Sequence, residues 1–262
     1  TDVVGLEELQ REFGAFQKVL SEKTGYTFKL FPVTGRTVVA ETFRSGKLDF
    51  ALTGPSEYVI IKNRSDTIPV IGLSRPDYYS VIITRKDSGI HSLAELKGKK
   101  IAFGDYGSTS YHLAPLQILS DAGLNPTTDL ESVNVGKLVA WKSLVRGKVD
   151  AIGLNQDRFR LFSEQEQGVS ENDFEILGRS PELPNDLIMA APHVPKAVIE
   201  KVKTVFAEHG DEILQAILVG PRNNKYQEMK FLTKIQDSDY DYIRQMYKTA
   251  GFAEFASPVQ AG

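Results

Sequence analysis

Segments with helical spacing and segments with strand character alternate along most of this chain, and the connections between them are short. Apolar residues at Leu6, Leu9, Phe13, Phe16, Val19 and Leu20 recur every three or four positions. That spacing predicts an amphipathic helix over 6–23, stopped at Gly25. Residues 26–31 alternate and are rich in aromatics, which predicts a strand. A helix over 37–45 ends at Gly46, a buried strand covers 49–52, and Thr53-Gly54-Pro55-Ser56-Glu57-Tyr58 opens another helix with Pro55 in its first turn. The theme repeats with strands at 79–84, 101–103, 133–135 and 149–152 and helices at 93–96, 111–122 and 139–145. Strands at 174–177 and 187–190 follow, then helices at 198–208, 211–218 and 240–249, and a loose tail from 253. Such alternation predicts an α/β fold with parallel strand pairing.

A short quasi-repeat adds to this. Ser45-Gly46-Lys47-Leu48-Asp49-Phe50-Ala51 resembles Arg146-Gly147-Lys148-Val149-Asp150-Ala151. Either both are plain helix terminators, or the chain forms two similar lobes, each with its own parallel sheet. Ligands of open α/β sheets sit beyond the carboxyl ends of strands, so two facing lobes would share one cleft.

Composition narrows the function. The 262 residues carry 31 basic and 34 acidic side chains, a formal net charge of -3, and no basic stripe of the kind nucleic acid requires. There is no cysteine, which removes disulfides and thiolate chemistry. No apolar run approaches the roughly 20 residues of a membrane span. His91, His193 and His209 lack metal-ligand spacing, and no Ser/His/Asp order stands out as a triad. Neither an enzyme, a metal site nor a cofactor is expected. The chain opens on Thr1 rather than Met, and the expectation is that a secretion signal has been removed.

One stretch points to chemistry. Ile101-Ala102-Phe103 reads as a strand, and Gly107-Ser108-Thr109-Ser110 follows it into a helix. Gly107 permits a tight turn. Three hydroxyls then stand beside the unpaired N–H groups and positive end of a helix, a combination that prefers an oxyanion. The same residues are also ordinary helix caps. His112, two residues on, either approaches such a site or packs in the core.

Further segments carry a resemblance. Gly46-Lys47-Leu48-Asp49-Phe50-Ala51 with Gly54-Pro55 and Tyr58 comes first, then Asp77-Tyr78-Tyr79-Ser80-Val81-Ile82-Ile83. After these come Asp87-Ser88-Gly89-Ile90, Leu93, Leu96-Lys97-Gly98-Lys99, Phe103-Gly104, Ser108-Thr109-Ser110, Pro115, Gly123 and Gly147-Lys148-Val149-Asp150-Ala151. In order and spacing, over about 6–190, the set resembles the substrate-binding proteins of phosphonate and phosphite ABC transporters. The resemblance implies a type II periplasmic binding protein fold: two α/β lobes, two hinge strands and a ligand in the interlobe cleft. One lobe would hold 1–77 and 186–262, the other 78–185.

It also implies roles. Ser108, Thr109 and Ser110 match the phosphoryl-binding triplet. Tyr78 matches a Tyr whose phenol donates to the ligand, although a hinge or core Tyr fits as well, and Tyr79 alternates into the core. Thr53 stands where relatives place a Tyr, and either belongs to a second helix start aimed at the anion or is an ordinary cap. Asp157 and Asp186 match carboxylates that meet a ligand ammonium in relatives; with a monoprotic oxyanion such an Asp would instead accept the P–OH hydrogen, and an exposed turn or strand-start Asp fits as well. Gly136-Lys137 replaces Gly-His, so Lys137 either meets a phosphoryl oxygen as a fixed cation or points to solvent. The implied protein is a periplasmic monomer that captures phosphite or a short phosphonate such as methylphosphonate and hands it to an ABC permease. Phosphate, sulfate or aminoethylphosphonate as ligand, an enzyme on the same scaffold and a sensor module are the alternatives.

Overall fold

The computed structural model of the protein describes residues 5–33 and 38–255. The expected helix start at 37 and the tail beyond 255 lie outside the described residues. The chain divides into two compact units. Among the described residues the first unit holds 5–33, 38–76 and Pro184–Asp241, and the second Asp77–Leu183 and 242–255.

The first unit opens with α1 (Leu6–Thr24), which ends where Gly25 takes a left-handed conformation and returns its N–H to the Ser21 carbonyl. α2 (Val38–Arg44), β1 (Phe50–Thr53), α3 (Pro55–Ser65) and β2 (Ile68–Ser74) follow. The chain re-enters this unit at β8 (Asp186–Ala190), then forms α7 (Lys196–Glu208), α8 (Gly210–Leu218) and β9 (Lys230–Leu232). Its sheet has the order β1-β8-β2-β9. Every neighbouring pair is antiparallel, because β8 returns from the second unit and inserts between β1 and β2. The expected parallel pairing therefore fails here: β1 and β2 run the same way but never touch.

Residues 26–31 form no strand. The helix before them captures their backbone instead. Gln17 donates to the Phe28 carbonyl at 2.7 Å, the Phe28 N–H donates to Ser21 Oγ at 3.0 Å, and the Tyr26 N–H to Thr24 Oγ1 at 3.1 Å. Aromatic alternation predicted a strand, but with these groups already bonded no ladder is needed to satisfy them.

The second unit contains β3 (Ser80–Arg85), β4 (Lys100–Phe103), α4 (Ala114–Asp121), β5 (Glu131–Asn134), α5 (Lys137–Val145), β6 (Ala151–Asn155), α6 (Gln156–Gln165), β7 (Phe174–Arg179) and α9 (Asp241–Thr249). The sheet order is β5-β4-β6-β3-β7. β4 runs parallel to both β5 and β6, as expected, while β3 is antiparallel to β6 and β7. Alternate residues face opposite layers. Val81, Ile83, Ile152 and Leu154 pack with Trp141, Phe159, Phe162 and Phe174 on one side. Ile82, Ile101, Phe103 and Ala151 pack with Leu116, Ile118 and Leu119 of α4 on the other. Tyr79 lies in the first of these layers, with the Arg179 guanidinium 3.3 Å from its ring centre.

The unit boundaries differ from the expected lobes at the C-terminus. The helix at 240–249 was expected in the first lobe, but α9 joins the second unit. Thr249 Oγ1 donates to Gln117 on α4 at 2.6 Å, and Phe252 packs edge-on against Tyr106. An amphipathic helix must bury one face, but its spacing does not say against what.

Candidate functional site

Three helices begin at one edge of the five-stranded sheet. β4, β5 and β6 lie side by side and parallel, and each leads directly into a helix at its carboxyl end. This is where ligands of open α/β sheets bind. Asn134 Nδ2 ties β5 to the Gly104 carbonyl at 3.0 Å, just beyond β4.

The helix after β4 starts unusually. Its first turn, Thr109–Leu113, is a π-helix in which the Leu113 N–H bonds the Ser108 carbonyl at 2.9 Å. Wide turns of this kind recur at functional positions. Gly107 has φ +79, where a side chain would be strained, so it provides the reversal between β4 and the turn. Ser108 is extended, and its hydroxyl does not cap the helix. Among the described residues, the hydroxyls of Ser108, Thr109 and Ser110 make no hydrogen bond, and the N–H groups of Thr109 and Ser110 have no acceptor. Yet Thr109 and Ser110 are only 6% and 4% exposed. Their hydroxyl oxygens are not among the buried side-chain atoms that lack a partner, so the hydroxyls reach solvent while the rest of each residue is covered.

The triplet is held from behind. Ser80 on β3, fully buried, donates to the Ser110 carbonyl at 2.8 Å and lies 3.2 Å from the Leu154 carbonyl. The Ser80 N–H in turn donates to Ser180 Oγ at 2.9 Å. A Cβ on Gly153 would collide with the Pro115 ring, so this glycine lets α4 settle onto β6. These contacts hold the helix start against two strands of the sheet.

The other sequence-predicted residues of the second unit distribute around it. Lys137 is the first residue of α5, exposed, with its ammonium 5.9 Å from the ring centre of Tyr111, the residue after the triplet. Asp157 is exposed in the first turn of α6 and accepts from Asn155 Nδ2 at 3.5 Å. Tyr78 is buried where the chain enters the unit, and its carbonyl accepts from the Leu183 N–H at 2.7 Å. His112 is a structural residue. It is 3% exposed, its Nδ1 accepts the Gly107 N–H at 3.3 Å, and its ring packs on Tyr106 and Phe103. Burial lowers its pKa to about 4, so it is neutral at pH 7 and shapes the loop without adding charge.

Helix-start N–H groups and hydroxyls at the carboxyl edge of a parallel sheet favour an anionic ligand. The model of a protein family described as the periplasmic substrate-binding protein of phosphonate ABC transporters matches residues 6–240. The chain belongs to this family. The phosphate-import protein PhnD of Mycolicibacterium smegmatis is 22% identical over 93% of this chain and 82% of its own length. A binding-protein component of an ABC phosphonate transporter from Pseudomonas aeruginosa has a similar structure, with a TM-score of 0.66 at 20% identity over 100% of this chain and 88% of that one. PhnD1 of Prochlorococcus marinus, solved in complex with methylphosphonate, gives a TM-score of 0.65 at 19% identity over 94% of each chain. The expected type II periplasmic binding fold is therefore the fold of this phosphonate-transporter family member.

In the first unit the two predicted residues have a different setting. Thr53 ends β1 and is 8% exposed, and Gly54 caps α3. The Glu57 carboxylate folds back over Gly54 and accepts from Ser56 Oγ at 3.1 Å, so this helix start already carries an anion of its own. Asp186 opens β8, 5% exposed. Arg75 lies 3.5 Å from one of its oxygens, while Lys225 at 3.4 Å and the Tyr226 hydroxyl at 3.0 Å hold the other. Burial pushes the Asp186 pKa up, but Arg75, Lys225 and Tyr226 outweigh it and hold the carboxyl below its ordinary value. The structure thus surrounds Asp186 with cations of its own unit, where the resemblance had implied a ligand ammonium.

Two further buried polar residues of this unit drew no attention in the sequence, Asn155 and Gln156. Each is 6% exposed and has a buried side-chain oxygen with no hydrogen-bond partner. An Asn at a strand end reads as an ordinary helix cap, so no sequence signal separates them from the background.

Proposed function

We propose that this chain captures a small phosphorus oxyanion, phosphite or a short phosphonate such as methylphosphonate, and presents it to an ABC permease from the periplasm. The observation that carries the reading is the set of three unpartnered hydroxyls at a helix start, two of them on residues that are almost fully buried. Family membership and the methylphosphonate held by PhnD1 of Prochlorococcus marinus support the ligand class.

The chemistry is binding without a covalent step. Hydroxyls of Ser108, Thr109 and Ser110, with the N–H groups of Thr109 and Ser110, replace the hydration shell of the phosphoryl oxygens. Bonds to an ionised acceptor are about twice as strong as neutral ones. The donors are held by Ser80 before ligand arrives, so little ordering cost remains. Lys137 supplies a mobile positive charge, and Tyr78 lines the entry to the unit. Asp157 stands at the rim through its bond to Asn155. Thr53 and Asp186 serve the first unit's own framework in this reading. The protein acts as a monomer and uses no cofactor.

A thermal-shift panel with phosphite, phosphate, methylphosphonate, aminoethylphosphonate and sulfate tests the proposal. A ligand at 100 times its dissociation constant stabilises by about 2.7 kcal/mol. The expected result is the largest shift with phosphite or methylphosphonate. No shift with any phosphorus compound, or an equal shift with sulfate, overturns the assignment.

A further inference from the structure

Pro115 leaves a gap in the bonding of the wide turn, because its nitrogen carries no hydrogen. With α spacing the missing N–H would serve the Tyr111 carbonyl, and with π spacing the Ser110 carbonyl. The turn uses π spacing: the Leu113 N–H bonds the Ser108 carbonyl at 2.9 Å, and the Ala114 N–H bonds the Thr109 carbonyl. Ser110 is next in that ladder, and its donor would be Pro115. Both orphaned carbonyls are served from the sheet side instead. The Gly104 N–H, just past β4, bonds the Tyr111 carbonyl at 2.9 Å, and the Ser80 hydroxyl on β3 bonds the Ser110 carbonyl at 2.8 Å. A Ser hydroxyl has one hydrogen to give, and Ser110 is nearer than the Leu154 carbonyl at 3.2 Å. Ser80 is fully buried, so water does not compete for this place.

We propose that Ser80 is the positioning residue of the oxyanion site: its hydroxyl replaces the N–H that Pro115 lacks and thereby holds the turn in its wide register. Without that hydroxyl the Ser110 carbonyl takes the Ala114 N–H from Thr109, and the turn tightens toward α spacing. The donors of Ser108, Thr109 and Ser110 then rotate out of their arrangement. The inference rests on the reading of Ser108–Ser110 as the oxyanion site. Ser80 itself does not touch the ligand.

A double-variant cycle between Ser80 and Pro115 tests this, with methylphosphonate and phosphite as probes. Ser80→Ala is expected to weaken binding about tenfold in calorimetric titration of the whole chain. Pro115→Ala restores an N–H within reach of the Ser110 carbonyl. In that background Ser80→Ala should change affinity by less than about threefold, because the two positions share one bond. The fall in ligand-free melting temperature caused by Ser80→Ala should shrink in the same background. Thr84 supplies the control. It is a second fully buried hydroxyl on β3, bonded to the Asp150 carbonyl at 2.7 Å, where the strand pairs with Ala151 at the start of β6. Thr84→Val should lower the melting temperature and leave affinity unchanged.

A Ser80→Ala protein that binds within about threefold of wild type would overturn the inference. Equal losses from Ser80→Ala in the wild-type and Pro115→Ala backgrounds would do the same, as would an equal loss of affinity from Thr84→Val. Wild-type protein that binds neither probe overturns the oxyanion reading, and the melting-temperature cycle then decides the link between Ser80 and Pro115 by itself. If Ser80→Ala alone does not fold, a folded Ser80→Ala/Pro115→Ala protein supports the inference and an unfolded one overturns it.

Discussion

In the first unit, Asp186 is buried at the start of a strand and enclosed by Arg75, Lys225 and Tyr226. In the second, Thr109 and Ser110 are buried as deeply as whole residues, but their hydroxyls make no hydrogen bond among the described residues and reach solvent. Both clusters match family motifs, and the hydroxyl triplet is the more specific match in the sequence. Pairing separates them. In the proposed reading the carboxylate whose partners are in place serves the fold, and the hydroxyls left open to solvent serve the ligand. The same logic divides the two predicted helix starts: α3 carries the Glu57 carboxylate, whereas the turn at Ser108–Ser110 carries none.

The strongest way to break this contrast is to remove the unpartnered donors. Ser108→Ala/Thr109→Ala deletes two bonds to an ionised ligand, so methylphosphonate affinity is expected to fall about a thousandfold by calorimetry. The melting temperature without ligand should not move, since neither hydroxyl bonds the protein. A drop in that temperature by several degrees would place the hydroxyls in the fold instead.

Asp186→Ala is the converse. It leaves Arg75 and Lys225 uncompensated, and urea denaturation is expected to show a loss of about 3–5 kcal/mol in unfolding free energy. Methylphosphonate affinity should stay within a few-fold. Intact stability with a hundredfold loss of affinity would return Asp186 to the role that the resemblance implied. The same carboxylate stabilises above its unfolded pKa, and that contribution disappears as pH falls through its lowered folded value.

His112 sharpens the comparison inside the second unit. Burial lowers its pKa from 6.5 to about 4, so unfolding takes up a proton between those values. Stability from the neutral ring is complete above pH 6.5 and is lost as pH falls toward 4, by about 3 kcal/mol in all. His112→Gln should flatten that slope in denaturation curves taken from pH 7 to pH 4, at the cost of a constant penalty. An unchanged slope would show that the ring titrates normally. Smallest of all, Lys137→Gln should weaken binding only about threefold, with the difference fading as salt rises, because an exposed charge is screened.

Much of this was legible beforehand, and the losses have physical causes. The Gly107-Ser108-Thr109-Ser110 run was readable because a strand, a glycine and a hydroxyl-rich helix start follow in sequence, each a local property. Apolar alternation at Tyr26, Phe28 and Leu30 misled because it does not register that Gln17 and Ser21 of the preceding helix satisfy that backbone. Parallel pairing was right for β4, β5 and β6, which are consecutive βα units, and wrong around β8, whose insertion between β1 and β2 is set more than a hundred residues away. The allegiance of α9 rests on Thr249 meeting Gln117, a contact between distant segments. Asn155 and Gln156 were invisible for a different reason. What marks them is a missing bond, and only coordinates reveal one.

A crystal structure with methylphosphonate bound tests the central claim most directly. The account predicts phosphoryl oxygens within about 2.5–3.0 Å of the Ser108, Thr109 and Ser110 hydroxyls. Methylphosphonate seated elsewhere, with those hydroxyls still bare, would contradict it.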